Sequence, residues 1–147
     1  MWLPKKFNLF ALVLIAFASC SQPQEVTVVK DTFEDGKLRI EMVYLLSGND
    51  SVPVAQTEYH DNGAIKLTGK LDSLGQRHGE WNAFYADSSK WSNGYYEHGL
   101  AQGKRKVWFP NGQLRIEGTY ENGKEVGLWT YRNEQGKVLR IEDFDQR

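Results

Sequence analysis

Apolar and polar residues alternate along the second half of the chain. The clearest run, LRIEGT at 114–119, places an apolar or small residue at every second position, and Trp129 and Tyr131 continue the pattern around Thr130. A period of two is typical of half-buried β-strands. Asn-Gly at 122–123 separates the two runs, and this dipeptide tolerates the positive φ of a tight turn. The pattern therefore predicts a β-hairpin.

The hairpin pattern recurs every 24 residues. Four series of glycines carry it: Gly75, Gly99 and Gly123; Gly79, Gly103 and Gly127; Gly94 and Gly118; and Gly112 and Gly136. Such self-similarity indicates a repeat architecture, in which each unit buries its apolar face by stacking on its neighbours. Helices are disfavoured because a glycine inside a helix costs about 1 kcal/mol relative to alanine. The expected fold is all-β, with tandem antiparallel β-hairpins forming an extended, curved single sheet.

The first 19 residues differ in character from the rest. Two lysines at 5–6 precede an apolar run at 9–17, which is shorter than the roughly 20 residues that a membrane-spanning helix requires. This segment is interpreted as a helical signal peptide. Cys20 follows in the sequence FASC, which resembles a bacterial lipobox, and Ser21 resembles the residue that follows the cysteine in outer-membrane lipoproteins. We expect Cys20 to carry lipid that anchors the protein to a membrane; the alternative is a leftover thiol near an ordinary cleavage site.

The composition excludes two broad classes of chain. With 40% hydrophobic and 13% aromatic residues, the chain is expected to fold rather than remain disordered. Its 18 basic and 19 acidic side chains nearly cancel, so no nucleic-acid partner is predicted.

The predicted organisation has four parts. These are a lipoprotein signal peptide at 1–19, a lipid-anchored tether at 20–24, atypical N-terminal capping strands at 25–58 and β-hairpin repeats at 59–147.

The repeated unit resembles the variant MORN repeat of bacterial proteins. The unit reads aromatic-aromatic-x-Asn-Gly, then a strand, then Gly-x-Tyr-x-Asn-Gly and Gly-x-Trp, and residues 108–131 match it closely. The unit at 59–85 also matches. The middle unit differs, because it has Asp87-Ser88 in place of Asn-Gly and Arg105 in place of the tryptophan. The chain is similar in particular to the YwqK-type antitoxin family of toxin-antitoxin systems.

This resemblance implies a non-catalytic scaffold that binds proteins or lipid head groups, and we expect a protein partner or another component of the cell envelope. It leaves open an alternative, an antitoxin or immunity-like protein that neutralises a partner toxin. The residues themselves predict no enzyme. Asp87, Ser88, Ser89 and His98 contain the groups of a hydrolase, but they do not lie in a recognisable nucleophile motif. No cofactor is predicted.

Three histidines raise the question of a metal site. His60, His78 and His98 are spaced at intervals that do not follow the repeat, so we expect them at different places of the unit, on turns. Outside Cys20 the chain has no cysteine that could complete a ligand set with them. No metal site is predicted.

The middle unit supplies the candidate partner-binding residues, which are Trp91, Lys104, Arg105 and Lys106. Trp91 stands where Arg115 stands one period later, and Lys104-Arg105-Lys106 is a dense basic run. Tryptophan and arginine are enriched in interface hot spots. Two alternatives remain open. Trp91 could be a displaced core residue that fills the space of the missing tryptophan, and the basic run could be a solvated strand face.

Overall fold

The computed structural model describes residues 23–146 as ten β-strands and one short 3₁₀-helix. The predicted signal peptide, Cys20 and most of the predicted tether lie outside the described residues. The strands are β1 (Gln24–Thr32), β2 (Leu38–Ser47), β3 (Asp50–Tyr59), β4 (Ile65–Leu71), β5 (Arg77–Phe84), β6 (Lys90–Glu97), β7 (Leu100–Trp108), β8 (Leu114–Glu121), β9 (Lys124–Arg132) and β10 (Val138–Asp143). The 3₁₀-helix Phe144–Gln146 follows β10.

All ten strands form one open sheet in which each strand pairs with its sequence neighbours, in the order β1 to β10. Every pairing is antiparallel. This confirms the prediction of an all-β fold of tandem hairpins. Strands β1 to β3, which cover most of the predicted cap, belong to the same sheet as the repeats. The described residues contain no helix with the length and hydrophobicity that crossing a membrane requires.

Five turns of one kind lie along one margin of the sheet. In each, an Asp or Asn side chain accepts a backbone N–H two or four residues later. We call this side the Asx margin; its turns span 33–37, 60–64, 85–89, 109–113 and 133–137. At four of these turns the left-handed position is glycine, but Ser88 occupies it in the third with a φ of 67°. This confirms that Asp87-Ser88 stands in the place of Asn-Gly.

The opposite margin contains tight two-residue turns and, at 72–76, a further turn of the Asx kind. Asn122 and Gly123 have φ values of 51° and 80°, as the Asn-Gly dipeptide predicts. His98 and Gly99 adopt the same conformation, with φ values of 47° and 81°. His98 therefore takes the place of the asparagine one unit earlier, which confirms its assignment to a turn.

Two tryptophan rings form the centre of the core, each lying flat against a glycine on the preceding strand. Trp81 lies on Gly69 and Trp129 on Gly118, and the two tryptophans are only 2% and 3% exposed. Because glycine has no Cβ, the ring can contact the backbone directly. This confirms that Trp129 is a core residue. We call this side of the sheet the aromatic face.

A row of polar side chains crosses the other side of the sheet, which we call the polar face. Its members are paired in register from β2 to β9. They are Glu41, Thr57, Thr68, Asn82, Asn93, Lys106, Glu117 and Thr130. Two neighbouring pairs are hydrogen-bonded: the Thr57 and Thr68 hydroxyls are 3.1 Å apart, and Asn93 donates to Asn82 at 3.0 Å. One face of the sheet thus carries the core and the other a hydrogen-bonded polar surface.

Candidate partner-binding surface

A β-bulge occurs near the start of every even-numbered strand, beside the Asx margin. At each bulge the register skips the second residue of the strand. The skipped residues are Arg39, Lys66, Trp91, Arg115 and Leu139, which we call the bulge column. All five are exposed. Bulges redirect a side chain out of the regular pleat, so the fold presents one exposed side chain from every second strand in a line across the sheet.

Trp91 and Arg115 make equivalent contacts within this column. The Trp91 ring lies 6.3 Å from the ring of Tyr85, centroid to centroid. One period later, the Arg115 guanidinium lies 5.3 Å from the ring centroid of Phe109. The predicted equivalence of positions 91 and 115 is therefore confirmed. Trp91 remains 42% exposed, in contrast to the two buried core tryptophans.

Arg105, not Trp91, fills the space of the missing core tryptophan. A Cβ added at Gly94 would lie 2.9 Å from Nη1 of Arg105, so the arginine covers this glycine as Trp129 covers Gly118. Its guanidinium donates to the Tyr96 hydroxyl and the Ser92 hydroxyl, both at 3.4 Å. The structure thus places Arg105 on the aromatic face in a packing role. Trp91 has no such role in the core.

Lys104 and Lys106 lie on the polar face, opposite Arg105, because side chains alternate along a strand. Lys104 pairs with Thr119 and Lys106 with Glu117 across β7 and β8. Both lysines are exposed and, with the exposed side chain of Leu128, border a shallow groove. Arg105 also contributes to the lining of this groove, whereas Trp91 does not, so the four residues predicted from the sequence do not all meet in one patch.

The sequence did not reveal a larger groove beside the bulge column, of about 560 Å³. It lies between Arg115 and Leu139, and its lining includes Ile116, Tyr131 and Phe109. Leu139, at 66% exposure, presents most of its side chain to solvent. Each member of the bulge column follows a left-handed turn residue by three positions, a spacing that becomes a usable signal only once the pairing of one unit is known.

Hydrogen bonds between successive turns fix the spacing of the Asx margin. Asn62 Nδ2 donates to the Ala86 carbonyl at 2.7 Å, and Asn111 Nδ2 donates to the Glu134 carbonyl at 3.0 Å. The Tyr85 hydroxyl donates to the Trp108 carbonyl at 2.8 Å. Each of these bonds joins one unit to the next. The bulge column therefore projects from a margin whose units are tied together.

The polar groups considered for catalysis are separated by the sheet. The Ser89 hydroxyl donates to Asp87 at 2.6 Å inside a turn of the Asx margin, whereas His98 lies on the opposite margin. This turn uses its serine and aspartate to stabilise its own backbone. The arrangement does not bring His98 to the serine.

His98 and His78 come together on the opposite margin, with ring centroids 5.4 Å apart. Nδ1 of His98 is 3.0 Å from Oδ2 of Asp72. Hydrogen bonds from the Gln76 backbone and then from His98 lower the pKa of Asp72. His60 lies at the other margin, where its Nε2 contacts the Phe84 carbonyl at 3.0 Å. Within residues 23–146 no group of three or more His, Cys, Asp or Glu side chains has the arrangement of a metal site.

A match to a known protein family agrees with this architecture. Residues 101–122, which span most of β7 and β8, match the family model of the MORN repeat variant. The search of curated proteins gave no match. Among solved structures, the chain is similar to a protein of unknown function from Bacteroides fragilis, with 15% sequence identity, coverage of 82% of this chain and 91% of that chain, and a TM-score of 0.24. The MORN match and the repeated hairpins indicate a repeat-based binding module.

Proposed function

We propose that the protein is a non-catalytic binding module, anchored in the bacterial cell envelope through lipid at Cys20, that holds a protein partner at the bulge column. The exposure of Trp91 is the observation that carries this proposal. Two other tryptophans of the repeat array are buried against glycine, and the equivalent place in the middle unit is taken by Arg105. Trp91 is thus a large apolar side chain that the core does not use.

The surroundings of Trp91 suit it to binding. Its contact with Tyr85 restricts the ring before a partner arrives, so less side-chain entropy is lost on association. A tryptophan that becomes buried at an interface commonly contributes about 2 kcal/mol or more when measured by truncation to alanine. The groove beside Arg115, one unit further along the column, offers further apolar surface at Ile116 and Tyr131. A partner that covers Trp91 could continue into that groove.

The lysines of the polar face have a secondary role in this proposal. Lys104 and Lys106 are exposed at the rim of a shallow groove, and rim charges mainly affect the rate and specificity of association. The carboxylate of Glu117 lies near Lys106 and accepts a hydrogen bond from Arg132 at 2.6 Å, so this part of the polar face carries charges of both signs. We therefore expect a smaller loss of binding from either lysine than from Trp91.

Attachment to a membrane supplies the second part of the proposal. A triacylated Cys20 would exceed the two signals that stable anchoring requires, since each buried CH₂ contributes roughly 0.8 kcal/mol. Cys20→Ala should leave the signal peptide uncleaved or release the protein from the membrane fraction. Fractionation of cells, with immunodetection of the chain, measures both effects. Unchanged membrane association with normal signal removal would contradict lipid anchoring.

Capture of the native partner tests the binding role. Chemical crosslinking in the protein's own cells, followed by purification of the full-length chain, should recover a partner that Trp91→Ala recovers poorly. Tyr95→Ala is the matched control, because Tyr95 is 47% exposed and pairs with Glu80 and Gln102 away from the bulge column. Equal recovery by wild type and Trp91→Ala would contradict the proposal. If the recovered partner is a toxin that the chain inhibits, the antitoxin alternative replaces the scaffold role.

A further inference from the structure

We infer that the bulge column recognises an acidic segment in the polyproline II conformation, with the pattern acidic-x-x-Pro-x-x-acidic, laid across the strands. This inference rests on the proposed binding role of Trp91 and names the class of partner segment. The central proline would lie on Trp91. The two acidic side chains would meet Lys66 on β4 and Arg115 on β8.

The order of residue types in the column gives the first argument. Lys66, Trp91 and Arg115 follow one another on alternate strands, so an aromatic ring stands between two cations. All three are exposed. Asp87, in the turn before Trp91, accepts hydrogen bonds from the backbone N–H and the hydroxyl of Ser89. The central part of the column is therefore complementary to a segment that carries two acids around an apolar residue.

The spacing of the column gives the second argument. Alternate strands of a sheet are about 9.6 Å apart, twice the usual strand separation. A polyproline II helix has three residues per turn and advances 3.1 Å per residue, so one side of it recurs about every 9.3 Å. A peptide in the β conformation repeats its side at about 6.7 Å and does not match. The column thus presents contacts at the period of a polyproline II ligand.

The chemistry of the central residue agrees with the spacing. Polyproline II segments bind to exposed aromatic side chains, and their preformed conformation reduces the entropy lost on binding. Trp91 presents such a ring, held by Tyr85. The outer members of the column are left out of the recognised pattern. Arg39 pairs with Asp31, and Leu139 carries no charge.

Two capped peptides of identical composition test the inference. Glu-Pro-Pro-Pro-Pro-Pro-Glu places both glutamates on one side of the polyproline II helix, six residues apart. Glu-Pro-Pro-Pro-Pro-Glu-Pro places them five apart, on different sides. Binding to the full-length chain in detergent is measured by fluorescence anisotropy of the labelled peptides. The first peptide should bind about fivefold more tightly, which is the factor that one well-placed exposed ion pair supplies.

Variants of the column locate the binding site. Lys66→Glu and Arg115→Glu should each abolish the preference for the first peptide, and Trp91→Ala should weaken binding of both peptides about tenfold. Lys124→Glu, which reverses an exposed charge at the opposite margin, should leave both affinities unchanged. Thermal melts of each variant should match the wild type, so that a loss of binding reports on contacts rather than folding.

Three results would overturn the inference: equal affinity for the two peptides, no binding of the first peptide, or a preference that survives both charge reversals. Binding to anionic vesicles that requires Lys66 and Arg115, without discrimination between the peptides, would assign the column to a membrane surface instead. These outcomes leave the binding role of Trp91 standing. That role fails only if capture of the native partner does not depend on Trp91.

Discussion

Replacing Gly118 by alanine would fill the space on which the Trp129 ring lies. A Cβ at this position would come within 2.6 Å of Cγ of Trp129 and nearer still to two other ring atoms. The ring cannot retreat easily, because Tyr120 and Phe144 pack against it with centroids 5.0 and 5.9 Å away. Either the two strands separate locally or the ring leaves its site.

The expected cost lies between two limits. Overpacking a core typically costs about 1–3 kcal/mol, and loss of the whole indole costs about 3–5 kcal/mol. Since the ring is enclosed, we expect about 3 kcal/mol for Gly118→Ala. In a domain of this size, that loss lowers Tm by roughly 10 °C. Thermal or urea unfolding followed by circular dichroism measures it.

The middle unit provides the matched control. A Cβ at Gly94 would meet the guanidinium of Arg105, at 2.9 Å from Nη1, and the end of this flexible side chain can move. Alanine also lowers the entropy of the unfolded chain. Gly94→Ala should therefore change the free energy of unfolding by less than about 1 kcal/mol. Equal losses for the two variants, or no loss for Gly118→Ala, would refute the packing of tryptophan on glycine.

Two further predictions concern turns. Ser88→Gly should stabilise the protein by about 1 kcal/mol in urea unfolding, because a non-glycine residue is disfavoured at a φ of 67°; Ser89→Gly should not stabilise it. Because the pKa of Asp72 is lowered in the folded state, its carboxylate stabilises the fold at pH values above the ordinary carboxyl range. This stabilisation is lost as pH falls through the folded pKa. The free energy of unfolding of Asp72→Asn should therefore fall less than that of the wild type on acidification below about pH 4. If the two proteins lose stability in parallel as pH falls, the role of Asp72 is contradicted.

The sequence was most informative about the hairpins and their turns. The period of two and the Asn-Gly dipeptides are local signals, so the positive φ values at Asn122 and Gly123 could be predicted directly. The alignment of units 24 residues apart also predicted that Arg105 stands in the place of Trp129. Backbone pairing does not require a tryptophan packed on a strand glycine, which is why β1 to β3 join the same sheet without such a pair.

The candidate site was harder to predict because bulges interrupt the simple alternation. A bulged residue such as Trp91 occupies an ordinary position in the sequence, and only the pairing with the neighbouring strand shows that the register skips it. The basic run was interpreted as a single cluster, whereas alternation along β7 divides Arg105 from the two lysines. His78 and His98, 20 residues apart, meet because β5 and β6 pair antiparallel with Gly79 opposite Tyr96, which sequence spacing cannot show.

Site-specific photocrosslinking tests the binding role of the bulge column most directly. A photoreactive amino acid is introduced in place of Trp91, or in place of Tyr95 as the control, in the full-length chain within its own cells. Irradiation should yield a discrete crosslinked species from position 91 that the control at position 95 does not give. The same adducts from both positions, or none from position 91 while the chain still captures its partner, would contradict binding through Trp91.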